Sequence, residues 1–243
     1  MTNISVAMAV FNGSRYIREQ IESILIQLGV DDELVISYDE SEDDTYEIIS
    51  TLSSVDSRIK IFKNPGSGIV KNFENAIRLS KGEYIFLADQ DDVWLDNKIK
   101  IVIEEFKRTN SDAIAHDYKL VNENLDPLNQ KDKSGFELRG KSAGVLNNII
   151  RLSYIGCCLA FKSKMVPHIL PIPTEKRSHD WWIGTVTGLI GKFSKLDEKL
   201  IYHRIHMNNA TPKRRPPLTY QVRVRAIILF HAICRYLGAK VSR

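Results

Sequence analysis

The sequence predicts an α/β fold with a mostly parallel central sheet and flanking helices. Two observations carry that prediction. Over the first 95 residues, short apolar runs alternate with amphipathic helical patterns, a rhythm that parallel strands joined by crossover helices produce. Acid-rich polar turns sit directly behind several of those runs, where open α/β sheets present ligands at the carboxyl ends of their strands.

The elements follow in order. Ile4 to Val10 reads as a strand, and Phe11 to Ser14 as a turn. Tyr16, Ile17, Ile21, Ile24, Leu25 and Leu28 then recur at spacings of three and four, which puts them on one face of a helix. Leu34 to Ile36 is a second strand closed by the acidic loop Tyr38 to Asp44, and Tyr46, Ile48, Ile49 and Leu52 suit a second helix. Arg58 to Phe62 is a third strand, ending in the turn Asn64 to Gly68. A helix over Ile69 to Leu79 and a strand over Glu83 to Ala88 complete the alternation. Beyond Trp94 the regularity fades. We expect a helix over Asn97 to Lys107, a strand over Asp112 to His116, and a polar loop over Asn122 to Gly140. A strand-like Ile155 to Phe161, a proline-rich crossing over Pro167 to Pro173 and a helix opening near His179 follow. Pro212 and Pro216-Pro217 mark a boundary before a final helix.

Composition narrows the function classes. At 243 residues, with 43% hydrophobic and 26% charged side chains, the chain can bury a substantial core. Three cysteines, two of them the adjacent Cys157 and Cys158, make neither a disulfide framework nor a zinc motif. They point to a reducing, cytoplasmic setting and carry no redox role. No signal-peptide pattern opens the chain, and no stretch reaches the roughly 18 apolar residues of a membrane span. The net charge of +4 is uneven. Eight Lys or Arg residues and no acid fall between Pro212 and Arg243, which leaves 26 basic against 30 acidic residues in the first 211. An acidic body argues against nucleic acid as a partner. The basic tail, with Ala226 to Phe230, Ile233 and Tyr236 between its arginines, suits either an anionic membrane surface or packing on the body or a second subunit.

Asp89-Gln90-Asp91-Asp92 concentrates three carboxylates in four residues behind a buried strand. Like charges packed so closely call for a cation or an ordered hydrogen-bond network, and hard oxygen ligands suit Mg²⁺ or Mn²⁺. An acidic turn capping the next helix is the bland alternative, and it is retained for Asp92. In a parallel sheet the loops after the first, second and fourth strands share one edge, so Asp39 and Asp91 face a common crevice. Asp39 there could accept the N3–H of a pyrimidine, or simply cap a turn. Lys71 and Asn72 could reach a nucleotide or lie on a solvated helix face. No glycine-rich phosphate loop occurs, so phosphates would be held by metal and basic side chains.

Seven ordered motifs carry a resemblance. They are Ser5 to Gly13 (SVAMAVFNG), Asp39 to Thr45 (DESEDDT), Gly68 to Phe73 (GIVKNF), Asp89 to Trp94 (DQDDVW), Gly156 to Cys158 (GCC), Ser178 to Trp182 (SHDWW), and Tyr202 to His206 (YHRIH) with Asn208 to Thr211 (NNAT). Together they resemble family 2 glycosyltransferases with the GT-A fold, and the DQDDVW form is similar to bacterial, rhamnosyltransferase-like members that build surface polysaccharides such as O-antigen or capsule. The resemblance implies a GT-A domain over 1–211, with a nucleotide-sugar half at 1–95, an acceptor half at 96–211, and a basic amphipathic tail at 212–243. It implies an inverting, metal-dependent transfer from a dTDP- or UDP-sugar to a saccharide or polyprenyl-linked saccharide, at the inner face of a membrane. Carried residue by residue, Val10, Asn12 and Asp39 line the base pocket, Asp89 approaches the ribose, and Asp91 ligates Mn²⁺ or Mg²⁺. Asp180 is the base, Trp181, Trp182 and Gly156 shape the acceptor site, and Arg204 and His206 close on the diphosphate, His206 touching the metal.

Two positions depart from that pattern: Tyr38 replaces the first of two adjacent acids, and Glu40 replaces a glycine. The competing readings are a nucleotidyltransferase and a noncatalytic nucleotide-sugar-binding homologue. Phe11-Asn12-Gly13 lacks the glycine-rich triphosphate loop of the first, and the intact Asp89, Asp91 and Asp180 weigh against the second.

Overall fold

A computed structural model of the chain describes residues 3–128, 154–173, 179–207 and 217–241. Strands β1 (Ile4–Val10), β2 (Glu33–Tyr38), β3 (Ile59–Lys63) and β4 (Tyr84–Asp89) are parallel, and α1 (Ile17–Leu25), α2 (Thr45–Val55) and α3 (Ile69–Leu79) connect them. The alternation expected over the first 95 residues is therefore present.

After it come β5 (Val93–Trp94), α4 (Lys98–Thr109), β6 (Ala113–Val121), a 3-10 turn at Gly156–Cys158 and β7 (Leu159–Lys162). Then follow α5 (Val166–Ile169), α6 (His179–Ile190), β8 (Phe193–Arg204) and α7 (Leu218–Val241). One eight-stranded sheet runs in the order β3-β2-β1-β4-β7-β6-β8-β5. The expected, mostly parallel sheet is present, and it includes antiparallel pairs. β7 runs antiparallel to both β4 and β6, and β5 antiparallel to β8, so the second half of the sheet is mixed. The twelve-residue β8 carries no alternating apolar pattern and has no counterpart among the expected elements.

Side-chain alternation builds a core on each face of the sheet. Val6, Met8, Val10, Phe86 and Ala88 point towards α1, α2 and α4, where Ile21, Ile49 and Val102 meet them. Ala7, Ile85 and Leu87 point the other way, towards Phe73 and Ile77 of α3 and Trp182 and Val186 of α6. Ile228 and Ala232 seat α7 on that second core. Strand order reverses at β1, whose neighbours β2 and β4 lie on opposite sides, so the carboxyl ends of β1 and β4 flank the kind of switch point at which open α/β sheets bind ligands. The polar loop expected over Asn122 to Gly140 is described only as far as Leu128, and Ser178, the Asn208–Thr211 motif, Pro212, Pro216 and Lys213 to Arg215 lie outside the described residues.

Candidate active site

Three loops meet at the carboxyl edge of β1, β2 and β4, knitted together by side-chain hydrogen bonds. Asn12, with a left-handed φ of 47°, donates its N–H to Ser41 Oγ and accepts from the Glu42 N–H on Oδ1. Gly13 and Ser14 donate to Thr45 Oγ1 and Asp43 Oδ2. Asp39 is fixed from both sides, Oδ1 accepting from Asn64 Nδ2 at 2.7 Å and Oδ2 from the Gly68 N–H at 2.9 Å. Val10 is buried, and its carbonyl accepts from the Asp39 N–H and from Asn72 Nδ2. Asn72 is accordingly a buried staple and does not lie on a solvated helix face, while Lys71 pairs with Glu74. Of the three expected pocket residues, Asp39 presents an anchored carboxylate, whereas Val10 and the Asn12 carboxamide build the scaffold around it. Tyr38, in the departing position, packs against Tyr46 with ring centroids 5.0 Å apart.

The acid loop beyond β4 is joined to the end of β8 by two neighbouring pairs. His206 Nε2 lies 2.8 Å from Asp91 Oδ2, and His203 Nδ1 lies 2.9 Å from Asp92 Oδ1. Asp92 has no solvent exposure and also accepts the Arg204 N–H. It does not cap the next helix: Asn97 is the residue that precedes α4, and a carboxylate drawn to a buried imidazole is unavailable for capping. Burial alone would raise the Asp92 pKa, but the His203 charge and hydrogen bond outweigh it and hold the carboxyl low. Burial likewise pulls His203 down, and Asp92 overrides that to lift it to about 9. Asp89 is pushed well above the ordinary carboxylate range by burial and by the charges of Asp92 and Asp91.

Arg204 is engaged by the protein itself. Its guanidinium is turned inward instead of towards a crevice, with Nε donating to the Asp91 carbonyl, Nη1 to the Glu123 carbonyl and Nη2 to Glu19. It also lies over the Tyr16 ring at 4.5 Å. A planar fork with its donors so engaged tethers loops.

Asp180 stands in the first turn of α6 and is close enough to Asp89 for its charge to help raise that group. Gly156 lies against this turn: a Cβ there would sit 3.1 Å from His179 Nε2 and 3.6 Å from Asp180 Cβ. Gly156 therefore fits as a close-approach residue beneath the expected base. The two tryptophans separate. Trp181 is half-buried with the Arg225 guanidinium 5.5 Å from its ring. Trp182 is fully buried and donates to the Ile169 carbonyl at 2.7 Å, so it belongs to the core and does not line an acceptor groove.

Several residues of this region carried no sequence signal. Gln20, buried in α1, donates to the Asp89 carbonyl. Lys98 is buried over the Trp94 ring at 3.8 Å, donates to the Cys157 carbonyl, and is held by burial at a pKa of about 8. Donor atoms of Asp92, Cys157 and His203 lie within 4.8 Å of one another, a spacing that metals use.

Asp91 and His206 also fit a divalent cation. An oxygen and a nitrogen donor converge at 2.8 Å, beside Asp89 and next to Asp92 in the acid loop.

The profile of Glycosyl transferase family 2 matches residues 5–170. An uncharacterized glycosyltransferase from Nostoc is 28% identical over 216 residues, covering 85% of this chain and 66% of that protein. The dTDP-rhamnosyl transferase RfbG of Shigella flexneri is 40% identical over 103 residues, 40% of this chain and 36% of its own. The chain thus spans two thirds or less of the length of these curated relatives. Among solved structures, S. aureus TarS with UDP-GlcNAc superposes over 99% of this chain and 73% of its own, at a TM-score of 0.73 and 18% identity. That likeness concerns the fold.

Proposed function

The chain belongs to glycosyl transferase family 2, and from that premise we propose that it transfers a sugar from a dTDP- or UDP-sugar to a hydroxyl of a growing bacterial surface polysaccharide such as O-antigen or capsule. The observation that carries this is the meeting of Asp91 with His206 on the edge where Asp39, Asp89 and Asp180 also stand. RfbG, named for a dTDP-sugar, and TarS, complexed with UDP-GlcNAc, support a pyrimidine donor. The anchored Asp39 carboxylate is a suitable acceptor for a pyrimidine N3–H.

Residues 1–95 then form the donor half and 96–211 the acceptor half. Asp180 takes the proton of the acceptor hydroxyl as its oxygen attacks the anomeric carbon. The new C–O bond forms as the bond to the diphosphate breaks, so one displacement inverts the configuration. Mn²⁺ or Mg²⁺ held by Asp91 and His206 would neutralise the leaving diphosphate. Asp89 faces the ribose side. Gly156 lets the backbone pack closely beneath Asp180 on the acceptor side, and Trp181 borders that side.

A lipid-linked acceptor places the enzyme on the cytoplasmic face of a membrane. No helix among the described residues is long and apolar enough to cross one. On α7, the face opposite the buried Ile228 and Ala232 exposes Val222, Leu229, Phe230, Ile233 and Leu237, and the tail carries eight cations and no acid. That combination suits an anionic bilayer surface.

Thermal-shift measurements against UDP, dTDP, GDP and their sugars, with and without Mn²⁺, test the reading. Metal-dependent stabilisation by a pyrimidine nucleotide is expected by mass action. No stabilisation by any of them would overturn it.

A further inference from the structure

We infer that Gln90, the uncharged residue inside the acid cluster, is a positioning residue for donor binding. Its carboxamide bolts the loop after β1 to the loop after β4 across the switch point of the sheet. The inference rests on the proposed donor site and adds to it a residue that touches neither donor nor metal.

The geometry is reciprocal. Gln90 Oε1 accepts from the Phe11 N–H at 2.8 Å, and Gln90 Nε2 donates to the Phe11 carbonyl at 2.7 Å. A side-chain amide thus satisfies both polar groups of one backbone residue, as a neighbouring strand would. Reversing the amide would set donor against donor and acceptor against acceptor, so the arrangement fixes its own orientation. Gly13 supplies the floor. A Cβ built there would fall 2.6 Å from Gln90 Cδ and Oε1 and 2.9 Å from Nε2, so the carboxamide lies where any side chain at position 13 would go.

Position makes this more than a loop contact. Gln90 stands between Asp89 and Asp91, so fixing its carboxamide constrains the peptides that aim both carboxylates. On the other side, the Phe11–Ser14 loop is sewn to the Ser41–Thr45 loop by the bonds of Asn12, Gly13 and Ser14. Gln20 holds the Asp89 carbonyl from behind. Gln90 therefore couples the base-pocket loops to the metal side, and its two bonds are exposed at the crevice mouth. Exposed neutral hydrogen bonds contribute little to global stability, whereas small misplacements of reacting groups weigh heavily on binding and rate.

The test compares wild type, Q90M, Q90A, G13A and the double variant G13A/Q90A in the full chain. Affinity for UDP and dTDP with Mn²⁺ is measured by calorimetry, alongside melting temperature and steady-state transfer. Q90M keeps the volume and removes both bonds, so nucleotide Kd and donor KM should rise about tenfold while the melting temperature moves little. G13A should do the same by displacing the carboxamide, and G13A/Q90A should be no worse than Q90A alone, because the methyl then has nothing to displace. Wild-type affinity in Q90M overturns the inference, as does full additivity of G13A and Q90A. If G13A does not fold, Q90M decides alone. A wild type that binds no nucleoside diphosphate overturns the donor site itself, an outcome distinct from tight binding in every variant.

Discussion

His206 Nε2 and Asp91 Oδ2 lie 2.8 Å apart although 115 positions separate them in the chain. One residue along the acid loop, Asp92 holds His203 in the same manner. Two consecutive acids thus clasp two histidines three positions apart near the carboxyl end of β8, and the clasps differ in kind. Asp92 is fully buried, while Asp91 retains some solvent contact and stands beside Asp89.

If the outer clasp holds a cation, Asp91→Asn should abolish the Mn²⁺-dependent part of nucleotide stabilisation. His206→Ala should weaken metal affinity by about 10- to 100-fold, the range typical of a lost metal-site partner. Calorimetric titration of Mn²⁺ with UDP present checks both, and unchanged metal affinity in both variants counts against the assignment.

Asp180→Asn should leave donor Kd within a factor of about two and lower kcat by about 10²- to 10⁴-fold, the usual contribution of a positioned base. A variant that transfers sugar at the wild-type rate removes Asp180 from the mechanism.

The inner clasp predicts a pH dependence with a defined sign. His203 has a folded pKa of about 9 against an ordinary 6.5, raised by the Asp92 carboxylate that overcomes its burial. Its contribution is therefore fully present below about pH 6.5 and is lost as pH rises through about 9. Asp92, Asp89 and the Cys158 thiol face it, so the His203 share must be isolated by difference. The gap in melting temperature between wild type and His203→Gln should narrow steadily from pH 6.5 to 9.5. A constant gap would show that His203 does not carry the effect.

Trp182 is predicted to be a stability residue. Trp182→Phe leaves the buried Ile169 carbonyl without its donor and should cost about 1–3 kcal/mol, read from denaturant midpoints. Donor and acceptor KM should hardly change.

The exposed face of α7 gives a membrane test. Replacing Phe230 and Ile233 by Ser should reduce binding to anionic vesicles at least several-fold while leaving nucleotide affinity intact, since Ile228 and Ala232 hold the helix from the other side. Undiminished vesicle binding would favour a protein partner for that face.

Much of the donor side was legible in the sequence because its signals are local. The Ile4–Val10 strand and the Ile69–Leu79 helix match their apolar spacing residue for residue, and the acid turn follows a run that could only be buried. β8 escaped because Lys195, Asp197, Glu198 and Lys199 interrupt its periodicity, and because its ladder with β6 is itself irregular around Ala115, Asp117 and Lys119. Asp92 read as a helix cap because caps are local and common, while its partner His203 lies 111 residues away. The inward turn of Arg204 was equally hidden, since Glu19, Glu123 and Asp91 come from three separate segments. Local pattern reveals which residues a strand end presents. It does not reveal which of them the rest of the chain has already engaged.

That distance along the chain has a kinetic side. Arg204 reaches back 185 positions to Glu19, and β8 must arrive before β5 has anything to pair with. Closing such long loops is slow compared with forming the β-α units of the first 95 residues. A chain emerging from the ribosome can therefore order its three donor loops early and still lack a complete centre until position 206 has been synthesised and has docked. The carboxylates of Asp91 and Asp92 would wait, exposed and mutually repelling, for the two histidines. Assembly of the centre would then report completion of the sheet, and recovery of metal-dependent nucleotide binding should trail recovery of secondary structure in refolding.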